Sequence, residues 1–271
     1  MALAQFTFKL QCGISNRVDG TVYKLTKTIG LVAGVIFLAT GCATQNVGFL
    51  PPLKDLRAAA SDAAKDPNFW LPTLAAATMT IGNVDNKIAD RMREDPPVFS
   101  DPQGSSSDLR DLSAAFYLLT ALSDRDSNFS QKGLLLGKDV VSIGAAHLVT
   151  RGLKTAVGRE RPNMDNNKSF PSGHATRLGG LTYLTSRNLD KLSLPNSVRI
   201  AGMLTNYGIA TAGSWARVEA GKHHPSDVLF GYAIGHFTTQ FVRNAFFAPD
   251  RVGVSYRPLP DGGAITVALR F

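Results

Sequence analysis

Between Lys154 and Asp227 lie three short blocks whose residue types suit phosphate chemistry. The first is Lys154-Thr-Ala-Val-Gly-Arg159-Glu-Arg161-Pro162, and the second is Pro171-Ser172-Gly173-His174. The third is Ala216-Arg217-Val-Glu-Ala-Gly-Lys-His223-His224-Pro-Ser-Asp227. Together they supply fixed cations, a serine–glycine turn, histidines and one carboxylate. A phosphate monoester carries roughly two charges near neutral pH. Holding it takes cations and amide donors, and transferring it takes the same groups aimed at the equatorial oxygens.

Each residue type has a place in that scheme. Arg161 and Arg217 can donate in a bidentate fork, and Lys154 is a point charge. Ser172 and Gly173 stand just before an expected helix, so their backbone N–H groups would face an anion at its N-terminus. A nucleophilic histidine needs its far nitrogen fixed, so that the near one is a free lone pair. His223 and Asp227 are four apart at an expected helix start, and the carboxylate could reach back to the ring as capping-box residues do. His174 would then protonate the leaving oxygen and later take a proton from the attacking water.

The ordered pattern is Lys, six residues, Arg-Pro; then Pro-Ser-Gly-His; then Arg, five residues, His, three residues, Asp. It resembles the tripartite signature of the type-2 phosphatidic acid phosphatase superfamily, which includes lipid phosphatases, bacterial acid phosphatases and vanadium haloperoxidases. One position departs: Ala216 stands where many members carry serine. The resemblance implies an all-α helical bundle of the acid phosphatase/haloperoxidase type. It implies Lys154, Arg161, Ser172, Gly173 and Arg217 as phosphate binders. It also implies His223 as the phosphorylated nucleophile, His174 as acid and base, and Asp227 as the orienting partner. For the phosphatases it implies no metal and no other cofactor. The third block looks more like the lipid-phosphatase branch, which makes a phosphorylated lipid the expected substrate. Small soluble esters, vanadate-dependent halide oxidation and a non-catalytic envelope lipoprotein are the competing readings.

Helical segments must position these blocks. Pro52 suits the first turn of a helix that Asp66-Pro67-Asn68 ends. Residues 70–93 read as one or two helices and 94–107 as an exposed Pro/Gly/Ser-rich loop. Helical periodicity resumes at about Ser107 and runs to Leu122. Asn128 or Ser130 can cap the helix leading to Lys154. Further helices are expected at about 174–188, 195–215 and 225–247, with Pro195 and Pro225 in their first turns. Gly231 and Gly235, four apart, allow close packing. Residues 252–271 read as a C-terminal β-hairpin.

The N-terminus carries a separate signal. Lys24 and Lys27 precede an apolar run, then Ala39-Thr40-Gly41-Cys42, which is signal-peptide grammar. The ending resembles a lipobox. Residues 1–41 are therefore expected to be a cleaved signal peptide, with Cys42 lipidated and 42–271 a single helical domain. Ala43 resembles the sorting residue of outer-membrane lipoproteins, which places the protein in a bacterial envelope, on the periplasmic side. No later segment holds about 20 uninterrupted apolar residues, so a soluble bundle tethered at its N-terminus is expected. The chain has 271 residues and a net charge of +8, of which residues 1–41 hold +3. That mild bias suits anionic substrates or membrane surfaces, and the absence of a dense basic run argues against nucleic acid. The two cysteines, Cys12 and Cys42, cannot staple a fold of this size.

Other residues near the blocks have plainer readings. His224 reads as a helix-start residue, and His147 and His236 as packed core histidines. Arg159 and Arg177 read as members of exposed ion pairs. Phe170 and Trp215 suit either core packing or an apolar entrance.

Overall fold

Residues 3–10, 51–95, 97–124, 127–247, 252–259 and 262–270 are described by a computed structural model. The basic and apolar segment 24–42, with the expected lipidation site Cys42, lies outside them. Two units separate, one of residues 54–247 and one of residues 1–53 with 248–271. In the latter, strands β1 (Leu3–Leu10), β2 (Val252–Leu259) and β3 (Gly262–Arg270) form an antiparallel sheet in the order β1-β3-β2. The strand Leu3–Leu10 lies within residues 1–41, the segment expected to be a leader.

The other unit is helical. Its α-helices are α1 (Leu53–Lys65), α2 (Pro67–Thr80), α3 (Val84–Glu94) and α4 (Pro102–Leu122), then α5 (Phe129–Val157), α6 (Gly173–Lys191), α7 (Asn196–Glu219) and α8 (Pro225–Phe246). Local chemistry sets their ends. The Asp66 carboxylate caps α2 by accepting from the Asn68 N–H at 2.8 Å, with Pro67 in the first turn. Asn128 and Gln131 form a reciprocal capping box on α5. That helix stops at Gly158, whose φ of 60° is the left-handed conformation a helix end favours and a side chain disfavours. Helix α4 begins at Pro102 rather than near Ser107, because Asp101 caps it through the Gly104 N–H at 3.0 Å.

Helix α6 is the axis of the bundle. It packs against α4, α5, α7 and α8, and Ala175, Leu178, Leu181 and Leu184 on it are buried. One apolar cluster joins Leu181 and Leu184 to Tyr117 and Ala121 of α4, and another joins Ala175 to Val218 and Val228. Against α8 the approach is too close for side chains. A Cβ on Gly235 would stand 2.0 Å from the Thr176 carbonyl oxygen, and one on Gly231 2.6 Å from that of Ser172. These contacts lock the start of α6 to the start of α8, the two places where the histidine blocks lie.

Helix α5 departs from the expectation that no later segment could cross a membrane. By length and composition Phe129–Val157 is apolar enough to do so. An uninterrupted apolar run is too strict a test here. The two charges in mid-helix, Lys138 and Asp139, are buried, and Asp139 pairs with Arg243 of α8 at 2.6 Å.

Candidate active site

Four elements bring the three sequence blocks together: the end of α5, the 158–172 loop, the start of α6, and the turn from α7 into α8. The loop is tied at several points. Lys154 Nζ donates to the Lys168 carbonyl at 2.7 Å, the Ser169 N–H to the Arg159 carbonyl at 2.9 Å, and the Asn163 N–H to the Gly221 carbonyl at 3.0 Å.

His223 is buried, and its Nδ1 lies 2.6 Å from the Ser169 backbone carbonyl. A carbonyl only accepts, so Nδ1 carries the proton and Nε2 is the lone-pair nitrogen of the neutral ring. Burial, and then the Lys154 charge, hold its pKa well below 6.5 despite the opposing pull of Asp227. The ring is therefore neutral across ordinary pH.

Asp227 takes a different partner from the one its spacing suggested. Because Pro225 occupies the first turn, His224 is the N-cap and Asp227 the third helical residue. The carboxylate accordingly reaches the His224 N–H at 2.8 Å, the His224 ring at 3.2 Å and the Ser169 hydroxyl at 2.5 Å. Its nearest approach to His223 Nδ1 is 3.9 Å. Ser169 thus links the two, its carbonyl on the His223 ring and its hydroxyl on Asp227. Burial raises the Asp227 carboxyl, but the His224 and Ser169 hydrogen bonds and the Arg159 charge outweigh it, so its pKa falls below the usual value.

Arg159 belongs to this support. It pairs with Asp227 at 2.9 Å and Asp85 at 2.7 Å and donates to the Ser226 hydroxyl at 2.8 Å. The expected exposed ion pair is instead a half-buried bridge between α3 and α8. Nothing in the three blocks pointed to Asp85.

His174 stands in the first turn of α6, where Ser172 is the N-cap. The Ser172 hydroxyl accepts from the Ala175 N–H at 3.4 Å, and the Ser172 N–H donates to the Asp227 carbonyl at 2.9 Å. Ser172 therefore spends its amide on holding α6 to α8. Gly173 and His174 supply the first-turn N–H groups that the helix itself does not use. His174 Nε2 lies 3.3 Å from Arg110 Nη1. A guanidinium only donates, so in this state Nε2 is the acceptor. Burial, then the charges of Arg217, Arg110 and Arg177, lower the His174 pKa to about 4.

The cations gather around these rings. Arg217 is buried at 7% exposure, and its pKa is lowered to about 10 by burial and then by Arg161 and Arg110. Among the described residues the buried Nε atoms of Arg161 and Arg217 have no protein hydrogen-bond partner. Crowded cations with unspent donors are what an anion site requires. Ala216 is fully buried beside them.

The remaining residues sort themselves by contact. His236 packs on Tyr183 and lies 3.2 Å from Asp66, a polar link between α8 and α2. His147 is half-buried, but its Nε2 has no partner among the described residues, unlike the satisfied core histidine expected. Phe170 stacks on Phe230 at 5.0 Å, and the Trp215 Nε1–H donates to Glu219 at 2.6 Å. No group of three His, Cys, Asp or Glu side chains among the described residues is placed to hold a metal ion.

Residues 136–250 match the model of the PAP2 superfamily. The chain is also similar to a solved transmembrane PAP2-type phosphatidylglycerolphosphate phosphatase from Bacillus subtilis. The identity is 20% and the TM-score 0.51, over 71% of this chain and 98% of that one. At this identity the likeness speaks for the fold. The matched region contains all three blocks, so the part of the chain that carries the candidate site is similar to the PAP2 superfamily.

Proposed function

We propose that this protein is a phosphatase that hydrolyses the terminal phosphate of phosphorylated lipids through a phosphohistidine. The observation that carries the reading is the His223 lone pair, fixed by the Ser169 carbonyl beside a cluster of cations with unspent donors. Lys154, Arg161 and Arg217, with the Gly173 and His174 amides, would hold the phosphoryl oxygens. His223 Nε2 would attack phosphorus as the bond to the leaving oxygen breaks, and His174 would give that oxygen a proton. A water would then attack the phosphohistidine, passing a proton to His174 and releasing phosphate as the N–P bond breaks. Asp227 would act mainly through Ser169 and the His223–His224 turn, since it touches neither His223 nitrogen within hydrogen-bond distance.

The lipid preference rests on the surface. Large apolar side chains stand exposed on α4, α5 and α7, among them Leu119, Leu148 and Leu204 at 63%, 68% and 69%. They suit work at a membrane, with Cys42 as a lipid anchor at the periplasmic face of the envelope.

The test is phosphate release by the purified protein with EDTA present. The panel pairs phosphatidate and an isoprenyl diphosphate in detergent with nucleotide and sugar phosphates. Release should survive EDTA, favour the lipids and fall by roughly three orders of magnitude or more in His223→Ala. Undiminished release by that variant would reject the nucleophile, and equal turnover of the soluble esters would reject the lipid preference.

A further inference from the structure

Arg110 of α4 lies outside all three sequence blocks, yet it touches the nitrogen that the proposed mechanism needs for proton transfer. Its Nη1 lies 3.3 Å from His174 Nε2, while its Nε and Nη2 are each 2.8 Å from Asp111 Oδ1. Asp111, largely exposed, thus holds the guanidinium with one edge turned to the ring. Arg177, one turn beyond His174 on α6, adds a second positive charge felt by both His174 and Asp111.

For an alcohol leaving group this placement is a handicap. A cation donating to Nε2 competes with the proton that Nε2 must deliver. For a leaving group that is itself a phosphate the logic reverses. The bridging oxygen of a diphosphate leaves as part of a phosphate anion, and a guanidinium can offset the charge that a proton offsets on an alkoxide. The leaving oxygen must lie within hydrogen-bond reach of His174 Nε2. A phosphorus bonded directly to that oxygen would bring its own oxygens within reach of Arg110.

We infer that Arg110, oriented by Asp111 and backed by Arg177, is the leaving-group subsite of this active centre and selects substrates in which the leaving group is a phosphate joined directly to the one transferred. The inference rests on the phosphatase reading above and names its substrate class, a lipid diphosphate. His223 Nε2 takes the terminal phosphoryl group, the bond from that phosphorus to the bridging oxygen breaks, and the lipid monophosphate departs against Arg110. Water then releases inorganic phosphate from His223.

The experiment compares kcat/KM for an isoprenyl diphosphate and the matching isoprenyl monophosphate, in wild type, Arg110→Gln and Arg110→Lys. In Arg110→Gln the diphosphate-to-monophosphate ratio should fall by about 30-fold or more, with partial recovery in Arg110→Lys. Misfolding would lower both rates and leave the ratio alone, so the ratio is read only in variants whose melting curves match wild type. A parallel calorimetric titration uses inorganic pyrophosphate and orthophosphate, and needs no turnover. Wild type should bind pyrophosphate at least tenfold more tightly, and Arg110→Gln should lose that advantage. An unchanged ratio, or equal binding of the two anions by wild type, overturns the inference while leaving the phosphatase reading intact. Equal losses on both substrates in a well-folded Arg110→Gln also overturn it, because Arg110 would then belong to the shared phosphate cradle. So would preference for a lipid whose second phosphate is separated from the first by a glycerol. Absence of turnover on every substrate is instead a failure of the phosphatase reading, and the titration then decides the inference alone.

Discussion

His174 is surrounded by cations, and that decides where its proton must come from. Its pKa of about 4 leaves it neutral in the free enzyme above that pH, because burial and then Arg217, Arg110 and Arg177 all disfavour the charged ring. Burial and then the Lys154 charge push His223 towards its neutral form as well. A phosphate monoester loses its second proton near pH ~6. Below that it arrives as a monoanion and can hand its proton to His174 as its own charge offsets the cations. Above that it arrives without one. The expected profile for a monophosphate substrate is therefore kcat/KM that is level from about pH 4 to 6 and then falls about tenfold per unit. A rate that rises between pH 6 and 8 would remove His174 from the acid role. Much of the proposed chemistry was legible in the sequence, because Lys154, Arg161, His174, Arg217 and His223 would carry it in their side chains and stand in short ordered blocks. Two parts were not. The group that fixes His223 is a backbone carbonyl, which any residue at position 169 could supply. Arg110 comes from a distant helix, and only the packing of α4 on α6 brings it to the ring.

Several helix starts were legible from a cap or a proline. Asn128 and Pro225 each stand where the pattern placed a helix start, while Pro67, read as the end of one helix, also opens the next. The start of α4 was missed because Pro102-Gln-Gly-Ser-Ser-Ser has loop composition, and the Asp101 cap with Pro102 in the first turn overrides it. The Gly231–Gly235 spacing, read as a close-packing face, is one: Gly235 lies against the backbone of Thr176, and Gly179 of α6 against that of Tyr232. A methyl on Gly179 would stand 2.1 Å from a carbonyl oxygen. Since backbone rather than a flexible side chain would have to move, α6 and α8 would be pushed apart. Gly179→Ala and Gly235→Ala should each cost about 3 kcal/mol or more, at the upper end of overpacking effects. Both should also lower activity, because the same contact registers His174 against His223. Gly137 of α5 has nothing within 4 Å of its would-be Cβ. Gly137→Ala should leave the thermal midpoint unchanged or raise it, by at most ~1 kcal/mol in stability. Melting curves of the three variants make the comparison. Equal stability in all of them would mean that the close α6–α8 contact does not exist.

Over the whole molecule, charge is drawn inward and apolar surface is left outside. Asp139 is buried with Arg243 at 2.6 Å and the Tyr117 hydroxyl at 2.8 Å, joining α4, α5 and α8 from within. Those interior charges interrupt the apolar runs, which is why the sequence reads as a soluble bundle. Yet Leu118, Leu119 and Leu122 of α4, Val140, Val141 and Leu148 of α5, and Ile200 and Leu204 of α7 are exposed. Scattered apolar residues are ordinary on a protein surface, but this density on three helices fits contact with lipid. Two attachments are therefore expected, a lipid on Cys42 and the helical surface itself, and they can be separated. Intact mass of the mature protein should show an acylated Cys42 at its N-terminus. Flotation with anionic vesicles should then persist in Cys42→Ser, since the helices still present apolar surface and the chain is basic. Adding Leu119→Glu and Leu148→Glu should release it, because a charge in place of an apolar contact is costly in the acyl region. If Cys42→Ser alone leaves the vesicles completely, the helical surface has no part in membrane binding, and the lipid anchor alone brings the site to its substrate.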